Sequence, residues 1–507
     1  MRLMRIALIL GITATSLAAQ SGTPALEAAL QAMGGKDRVL NLRTLILEGS
    51  GTNLQFGQNH TPFAETQFEV TSFRRVYDFP NRRWFLDQTR VPKFTTGNMS
   101  PQRQRQGLDG APNGIAYNIG GGPPPAPGQQ PPAIMSRVPG NAATERMAEF
   151  IYHPVGFLKA AYAPNAVVSE ETAPSNRKLV RLTAGAFQFA MLLDGRTNLP
   201  LRIERTVYPP MLGDVGLWSE FADWRDVGAV KLPMRLTQKY EDLFTLADIR
   251  LSSAQVDQDA GNIGVTDSIR AVAQQAGQPA ADPTPPAPTI VVDTIAPGVW
   301  RIGGQSHHTI AIEQSNQVVL VEAPQNDARA LAAIATAREL RPGKSLGPLI
   351  NTHHHFDHSG GLRAAIAQGL TIYSHEGNRE FYSRVVYPRK HTSQPDALER
   401  TPQPLKLRTV GDREVLRDAL RTIEILHVPG NPHNGNMLVV YLPAEKLLIQ
   451  ADIYAPPAAG AVNPVFPFAR NLQEMIQRRN LNVAQMIGIH GNPVPYAEFA
   501  AAASRAP

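Results

Sequence analysis

No cysteine occurs among the 507 residues, so the chain holds no disulfide and draws its stability from core burial, which this length permits. No apolar run approaches the roughly 20 residues that a helix needs to cross a bilayer, so stable membrane insertion is not expected. Charge is sparse: only 18% of residues are charged, and the net +6 is spread along the chain without a dense basic block. That distribution argues against nucleic acid as a partner. Histidine is almost missing from the first half, where His60 and His153 are the only two of 13. Chemistry that needs imidazole therefore belongs to the second half.

That half contains His353-His354-His355-Phe356-Asp357-His358, in which five of six consecutive side chains are metal-ligand types. Imidazole nitrogen and carboxylate oxygen are donors that zinc and its first-row neighbours accept. In an extended loop successive side chains alternate sides, so His353, His355 and Asp357 would share one pocket. His358 comes one step later, where Ser359-Gly360-Gly361 would let the chain turn into a helix over Leu362–Ala367 and redirect it into that pocket. A histidine-rich low-complexity tract is the bland alternative. The apolar Leu349-Ile350 before the run and the glycines after it favour a strand-loop-helix site instead.

Further donors stand where short apolar strands meet loops, the places where functional side chains of open α/β sheets gather. His433 lies in the turn-rich Pro429–Gly435, before Met437–Leu442. Asp452 follows Leu447–Ala451, and His490 follows Met486–Ile489. Taken singly, each also fits a buried histidine or an aspartate closing a turn.

Taken as a series, these residues resemble the metallo-β-lactamase superfamily, from about Ile295 to Ala500, including the opening Gly298–Ile302 and Gln317–Pro324. The resemblance implies a four-layer αβ/βα sandwich and a dinuclear site. His353, His355 and His433 would hold one ion, Asp357, His358 and His490 the other, and Asp452 would bridge them. Two Zn²⁺ ions per chain are implied, iron or manganese being alternatives that the same donors accept. A metal-held hydroxide would attack an ester, thioester, lactone or β-lactam bond of a small-molecule substrate, with Asp357 or Asp452 accepting a proton. Ala451 stands where the family usually has glycine before the bridging aspartate. An aspartate bridge with no cysteine is more similar to the esterase, thioesterase and lactonase branches, and to phosphodiesterases, than to the β-lactamases that use cysteine.

The reading is an α+β chain in four parts: a signal peptide at 1–19, a mainly antiparallel β-sheet domain at 20–265, a proline-rich linker at 266–292 and the catalytic domain at 293–507. In the N-terminal half, a helix over Pro24–Met33 with Thr23 as cap precedes strands at 42–47, 66–77, 83–88, 178–183, 187–193, 201–208, 218–224, 232–240 and 244–251. The Gly/Pro-rich stretch 120–132 reads as an excursion. This half weakly resembles periplasmic lipoprotein-carrier folds, and is expected to pack on the catalytic domain. The alternative functions are a periplasmic carrier for an apolar ligand with a secondary metal site, and an iron-containing redox variant of the same fold. Tyr454 is expected to pack rather than donate to an oxyanion, and His375 and His427 to be structural. The stretch Gly303–His308 and the basic cluster Arg384, Arg389, Lys390 and His391 are placed to overhang the metals, the cluster either as a solvated charged loop, the favoured reading, or holding a substrate carboxylate or phosphate.

Arg2 and Arg5, the apolar Ile6–Ile12 and the small residues to Ala19 form a secretory succession, with no cysteine to mark a lipoprotein, so a periplasmic or secreted protein is expected. Mass spectrometry of exported protein should find a mature terminus just after Ala18 or Ala19; an intact Met1 on that material would refute the expectation.

Overall fold

In the computed structural model, residues 22–506 are described apart from 65–66, 94–99, 111–113, 121–133, 276–286 and 457–466. The signal segment, nearly all of 120–132 and most of the proline-rich stretch 278–288 therefore lie outside the described residues. Thirteen antiparallel strands between Thr44 and Val256 form one sheet, with Thr44–Asn53 beside Phe244–Val256 at its centre. Its two ends are Met135–Arg137 and Val167–Ala173. All nine strands expected from the sequence are present within a few residues of their expected limits.

Four strands and the helices Lys36–Asn41, Ala142–Ala148 and Pro154–Ala161 of this half escape the sequence pattern. Gln102–Asp109 is polar for most of its length and gains its place by pairing, with Gln104 accepting from Gln88 and Gln102 from Arg90 on the neighbouring strand. Ile115–Ile119 and Met135–Arg137 are short, and Val167–Ala173 is an exposed edge. None carries the alternation that marks a half-buried strand. The helices Ala142–Ala148 and Pro154–Ala161, with Pro24–Ala32, cover one sheet face through Leu26, Leu30, Phe157 and Leu158.

Within the segment 266–292, Asp267–Gln275 is helical, its start closed by Thr266 Oγ1 accepting from the amide of Ile269 at 3.5 Å. The strand Val291–Ala296 also begins inside that segment, pairing with Val299–Gly303.

From there the chain builds two sheets, one of seven strands and one of six. Gln317–Val321 shows why they stack. Val319 and Val321 face the second sheet, joining Ile425, Val440 and Ile449, while Val318 and Leu320 face Ala333 and Ile334 of the helix Asp327–Leu340. Buried on both faces, such strands must be apolar throughout rather than alternating. The helices Pro467–Arg478 and Tyr496–Ala503 cover the outer face of the second sheet through Leu472, Ile476 and Phe499. The result is a four-layer αβ/βα sandwich preceded by a large antiparallel sheet.

The two halves pack closely. Met211, Leu212, Val215 and Phe244 of the first enter the core that contains Phe381 and Tyr382 of the second. Glu241 pairs with Arg389, and Asp214 accepts from Thr392 and Ser393.

His153 caps Pro154–Ala161 through Nδ1, which accepts from the amide of Val155, and burial beside Arg75 pushes its pKa down to about 3. A histidine neutral when folded binds its proton on unfolding, so its stabilisation is complete above about pH 6.5 and declines as pH falls toward the folded value. At pH 5 the loss should be about 2 kcal/mol. His153→Asn, which retains a capping oxygen, should flatten the fall in unfolding free energy between pH 7 and pH 5; an unchanged slope would contradict this account.

Candidate metal centre

The run from His353 to His358 sits at the end of the strand Ser345–Ile350, but its last turn differs from an extended loop. Phe356–Ser359 is already helical, so Asp357 and His358 are redirected by that turn. Gly360 and Gly361 have φ of −62° and −98°, open to any residue, so they are not needed for their conformational freedom. Close approach demands them instead: a Cβ on Gly361 would lie 2.3 Å from Cβ of Ala330. His354 packs edge-on against His355 but joins neither donor group, with Nδ1 3.0 Å from Asn434 Nδ2.

Each remaining donor is held by its own local device. Asn431 Oδ1 accepts from the amide of His433 at 3.0 Å, forming the turn that presents the ring. Asp452 has φ of +59°, a strained backbone for a non-glycine residue, and the side chain of Gln450 stabilises the turn by accepting from the amides of Ile453 and Tyr454. His490 follows the strand Gln485–Gly488, which runs parallel to Leu447–Gln450, so the same sheet edge delivers both.

These devices converge. The seven residues singled out in the sequence fall into two adjoining groups, His353, His355, His433 and Asp452 in one, and Asp357, His358 and His490 in the other, joined there by His307. Within each group the potential ligand atoms lie within 4.8 Å of one another. Asp452 stands between the groups: Oδ2 is 3.3 Å from His353 Nε2, 3.1 Å from His433 Nε2 and 3.0 Å from His358 Nε2, while Oδ1 is 2.7 Å from His490 Nε2.

His307 was legible only as part of the stretch Gly303–His308, with nothing to mark it as a donor. Its Nε2 lies 3.2 Å from Asp357 Oδ2. The neighbouring His308 instead donates to the carbonyl of Gly491. Glu322 escaped the sequence reading. It is fully buried, accepts from the amide of Thr352 at 2.7 Å and faces His358 Nδ1 at 3.5 Å. From the N-terminal half, Gln58 donates to Asp357 Oδ1 at 2.7 Å, and the carbonyl of Asn59 accepts from His355 Nε2 at 2.9 Å.

The other expectations resolve into packing. Tyr454 packs edge-to-face on Phe499 and donates to Glu498. His375 stacks on His427, whose Nε2 donates to the carbonyl of Gly435. Arg384 pairs with Glu380, Lys390 with Glu399, and His391 with Tyr208 and Asp396. The basic stretch is thus tied to neighbouring acids and to the N-terminal sheet.

Burial drives the pKa of His353 down to about 4 and that of His355 well below its ordinary value, leaving both rings neutral with lone pairs available. His353 Nε2 and His355 Nδ1 are buried without a hydrogen-bond partner. At His358 burial also favours the neutral ring, but the carboxylates of Asp452 and Glu322 outweigh it and raise the pKa well above the usual range. Unpartnered buried imidazole nitrogens facing a shared carboxylate fit divalent cations, which would satisfy lone pairs that no proton donor reaches.

Residues 302–482 match the family model of the metallo-β-lactamase superfamily, so this half carries a metallo-β-lactamase domain, a fold whose family contains hydrolases. Similar solved structures include DIM-1 metallo-β-lactamase, at 18% identity and a TM-score of 0.33 over 43% of this chain and 96% of that one. A metallo-β-lactamase from Hirschia baltica has 20% identity and a TM-score of 0.32, over 42% and 96%. The sec-alkylsulfatase Pisa1 from Pseudomonas sp. has 18% identity and a TM-score of 0.32, over 42% of this chain and 41% of that one. No curated protein matches the chain.

The Glu322 carboxylate faces His358 Nδ1 at 3.5 Å, so Glu322→Gln should weaken metal binding at the group containing His358 about 10-fold to 100-fold. Zinc competition against a chromophoric chelator measures this, and an unchanged affinity would remove Glu322 from that role.

Proposed function

We propose that the metallo-β-lactamase domain, completed by His490, is a metal-dependent hydrolase that holds two divalent ions, zinc in both positions, and cleaves an ester, thioester, lactone or β-lactam bond of a small molecule. The observation that carries this reading is the pair of adjoining four-donor groups with Asp452 between them. Bound ions would supply Lewis-acid polarisation and a water acidified from its bulk pKa to about 7.

His353, His355 and His433 would hold one ion, and Asp357, His358 and His490 the other, with one oxygen of Asp452 turned toward His490 and the other toward the remaining imidazoles. The neutral rings of His353 and His355 suit this role because metal binding needs deprotonated donors. Asp357 has a side chain 38% exposed, against 0% for His353 and His358, so it marks the open edge of the centre. Its Oδ2 faces His307 Nε2, giving a carboxylate–imidazole pair that can take a proton from an attacking water and return it to a leaving group. The basic, apolar and small-residue succession at residues 2–19 supports export to the periplasm or medium.

One observation favours the carrier reading as a second possibility. A cavity of about 480 Å³ lies against the N-terminal sheet, walled by Phe73, Phe221, Leu236 and Ile249 and reaching Phe356 beside the metal donors. The Arg75–Glu149 pair also lines it, so the cavity is not wholly apolar.

Metal analysis of the purified chain, combined with chromogenic ester, thioester, lactone, phosphodiester and cephalosporin substrates, tests the hydrolase reading. Two ions per chain and turnover of at least one substrate are expected, and one ion or none after reconstitution with excess zinc would overturn it. Asp357→Ala removes a metal donor and a proton acceptor together, so kcat should fall at least about 100-fold in folded protein. Full activity with unchanged metal content would exclude the mechanism.

A further inference from the structure

The segment from Leu54 to Ala64 belongs to the N-terminal sheet, joining Thr44–Asn53 to Phe68–Asp78, yet its bonds run to the metal-donor loops of the other half. It is a built loop. The amide of Leu54 donates to the carbonyl of Leu246, and the amide of Gln55 to Gln67 Oε1 at 2.7 Å. Gln67 Nε2 returns to the carbonyl of Gln58 at 2.9 Å. The side chain of Asn59, 1% exposed, accepts from the amide of Gly57 and donates to the carbonyl of Ala64.

So anchored, four residues of the loop present groups to two donor segments. Gln58 Nε2 donates to Asp357 Oδ1 at 2.7 Å, leaving Oδ2 turned toward His307 and the centre. The carbonyl of Asn59 accepts from His355 Nε2 at 2.9 Å, which assigns the proton to Nε2 and leaves Nδ1 as the lone pair. That Nδ1 is the nitrogen buried without a partner. His60 closes on the other loop, with Nε2 donating to the carbonyl of Asn431 at 3.1 Å and its own carbonyl accepting from Gly435 at 2.9 Å. Gly57 accepts at its carbonyl from the amide of Phe356, and its φ of +82° and a clash of 2.6 Å between any Cβ and the Phe356 ring reserve the position for glycine.

We propose that the loop 54–64 is a positioning element of the metal centre, in which Gln58 orients Asp357 and the Asn59 carbonyl fixes the ring of His355, so that the N-terminal sheet domain sets the metal affinity of the other half. This rests on the dinuclear reading above. A partner hydrogen bond to a metal donor is typically worth 10-fold to 100-fold in affinity. Gln58 and Asp357 form one group's link to the loop, and Asn59 and His355 the other's, so the two ions depend on different bonds.

The full chain, stripped and titrated with cobalt(II) against a competing chelator, tests the proposal, with the visible absorption of bound cobalt reporting geometry. Gln58→Met keeps the side chain's length and removes the donor. It should weaken one of the two ions about 10-fold to 100-fold and alter its cobalt spectrum, while the metal-free unfolding midpoint stays at the wild-type value. Gly57→Ala, which pushes the whole loop away from Phe356, should weaken both ions. Wild-type affinities and spectrum in Gln58→Met would overturn the proposal, as would equal weakening of both ions in that variant with a lowered metal-free midpoint. A wild-type chain that binds fewer than two ions would overturn the dinuclear reading and this inference with it, which separates the two failures.

Discussion

The carboxylate of Asp452 faces four imidazoles, those of His353, His358, His433 and His490, at 2.7 to 3.3 Å, and the arrangement of the catalytic half follows from keeping it there. Carboxylate and imidazole lone pairs gathered away from water are costly unless protons or cations compensate them. Asp452 is itself strained, with its left-handed backbone supported by the three hydrogen bonds of the Gln450 side chain. Such a turn persists only where its surroundings determine it. Here they are two stacked sheets with strands buried on both faces, whose ends project the donor loops from one edge.

That cluster also explains the surrounding polar network. Thr352, Glu322 and Asn431 each bond within or beside a donor loop, so the donor rings inherit their directions from backbone amides and short side chains. His308 and Arg301 tie the opening strand to the carbonyl of Gly491, next to His490. Each contact removes a rotation that a donor would otherwise retain.

The N-terminal sheet is part of the same economy rather than a separate tool carried by a linker. Its core is its own, gathered around Leu30, Phe157 and Met191. Its far loop nevertheless bonds to Asp357, His355 and Asn431, and its strand ends enter the core beneath the donor helix. An interface made of directed hydrogen bonds to donor residues constrains geometry more tightly than apolar contact alone, because each bond has a preferred direction.

Local chemistry is what a linear chain displays well. The run His353–His358, the turn around His433 and the strand-end Asp452 and His490 were legible because donor types, turn residues and apolar strands are written in consecutive positions. The buried strands of the sandwich were legible for the same reason, as were the half-buried strands of the sheet that alternate. Gln102–Asp109 was not, since its stability comes from a partner strand rather than from its own pattern. Nor were Glu322, Gln58 and Asn59, which lie 36 to 299 positions from the donors they touch and carry no local mark, while His307, 50 positions from Asp357, was legible only as part of Gly303–His308. The sequence alone therefore determined seven of the eight residues that form the two donor groups and which segments must be buried. Only the tertiary structure decided which donors share a group and which half of the chain orients them, because those choices depend on distances that close when sheets stack and loops from remote strands meet at one edge.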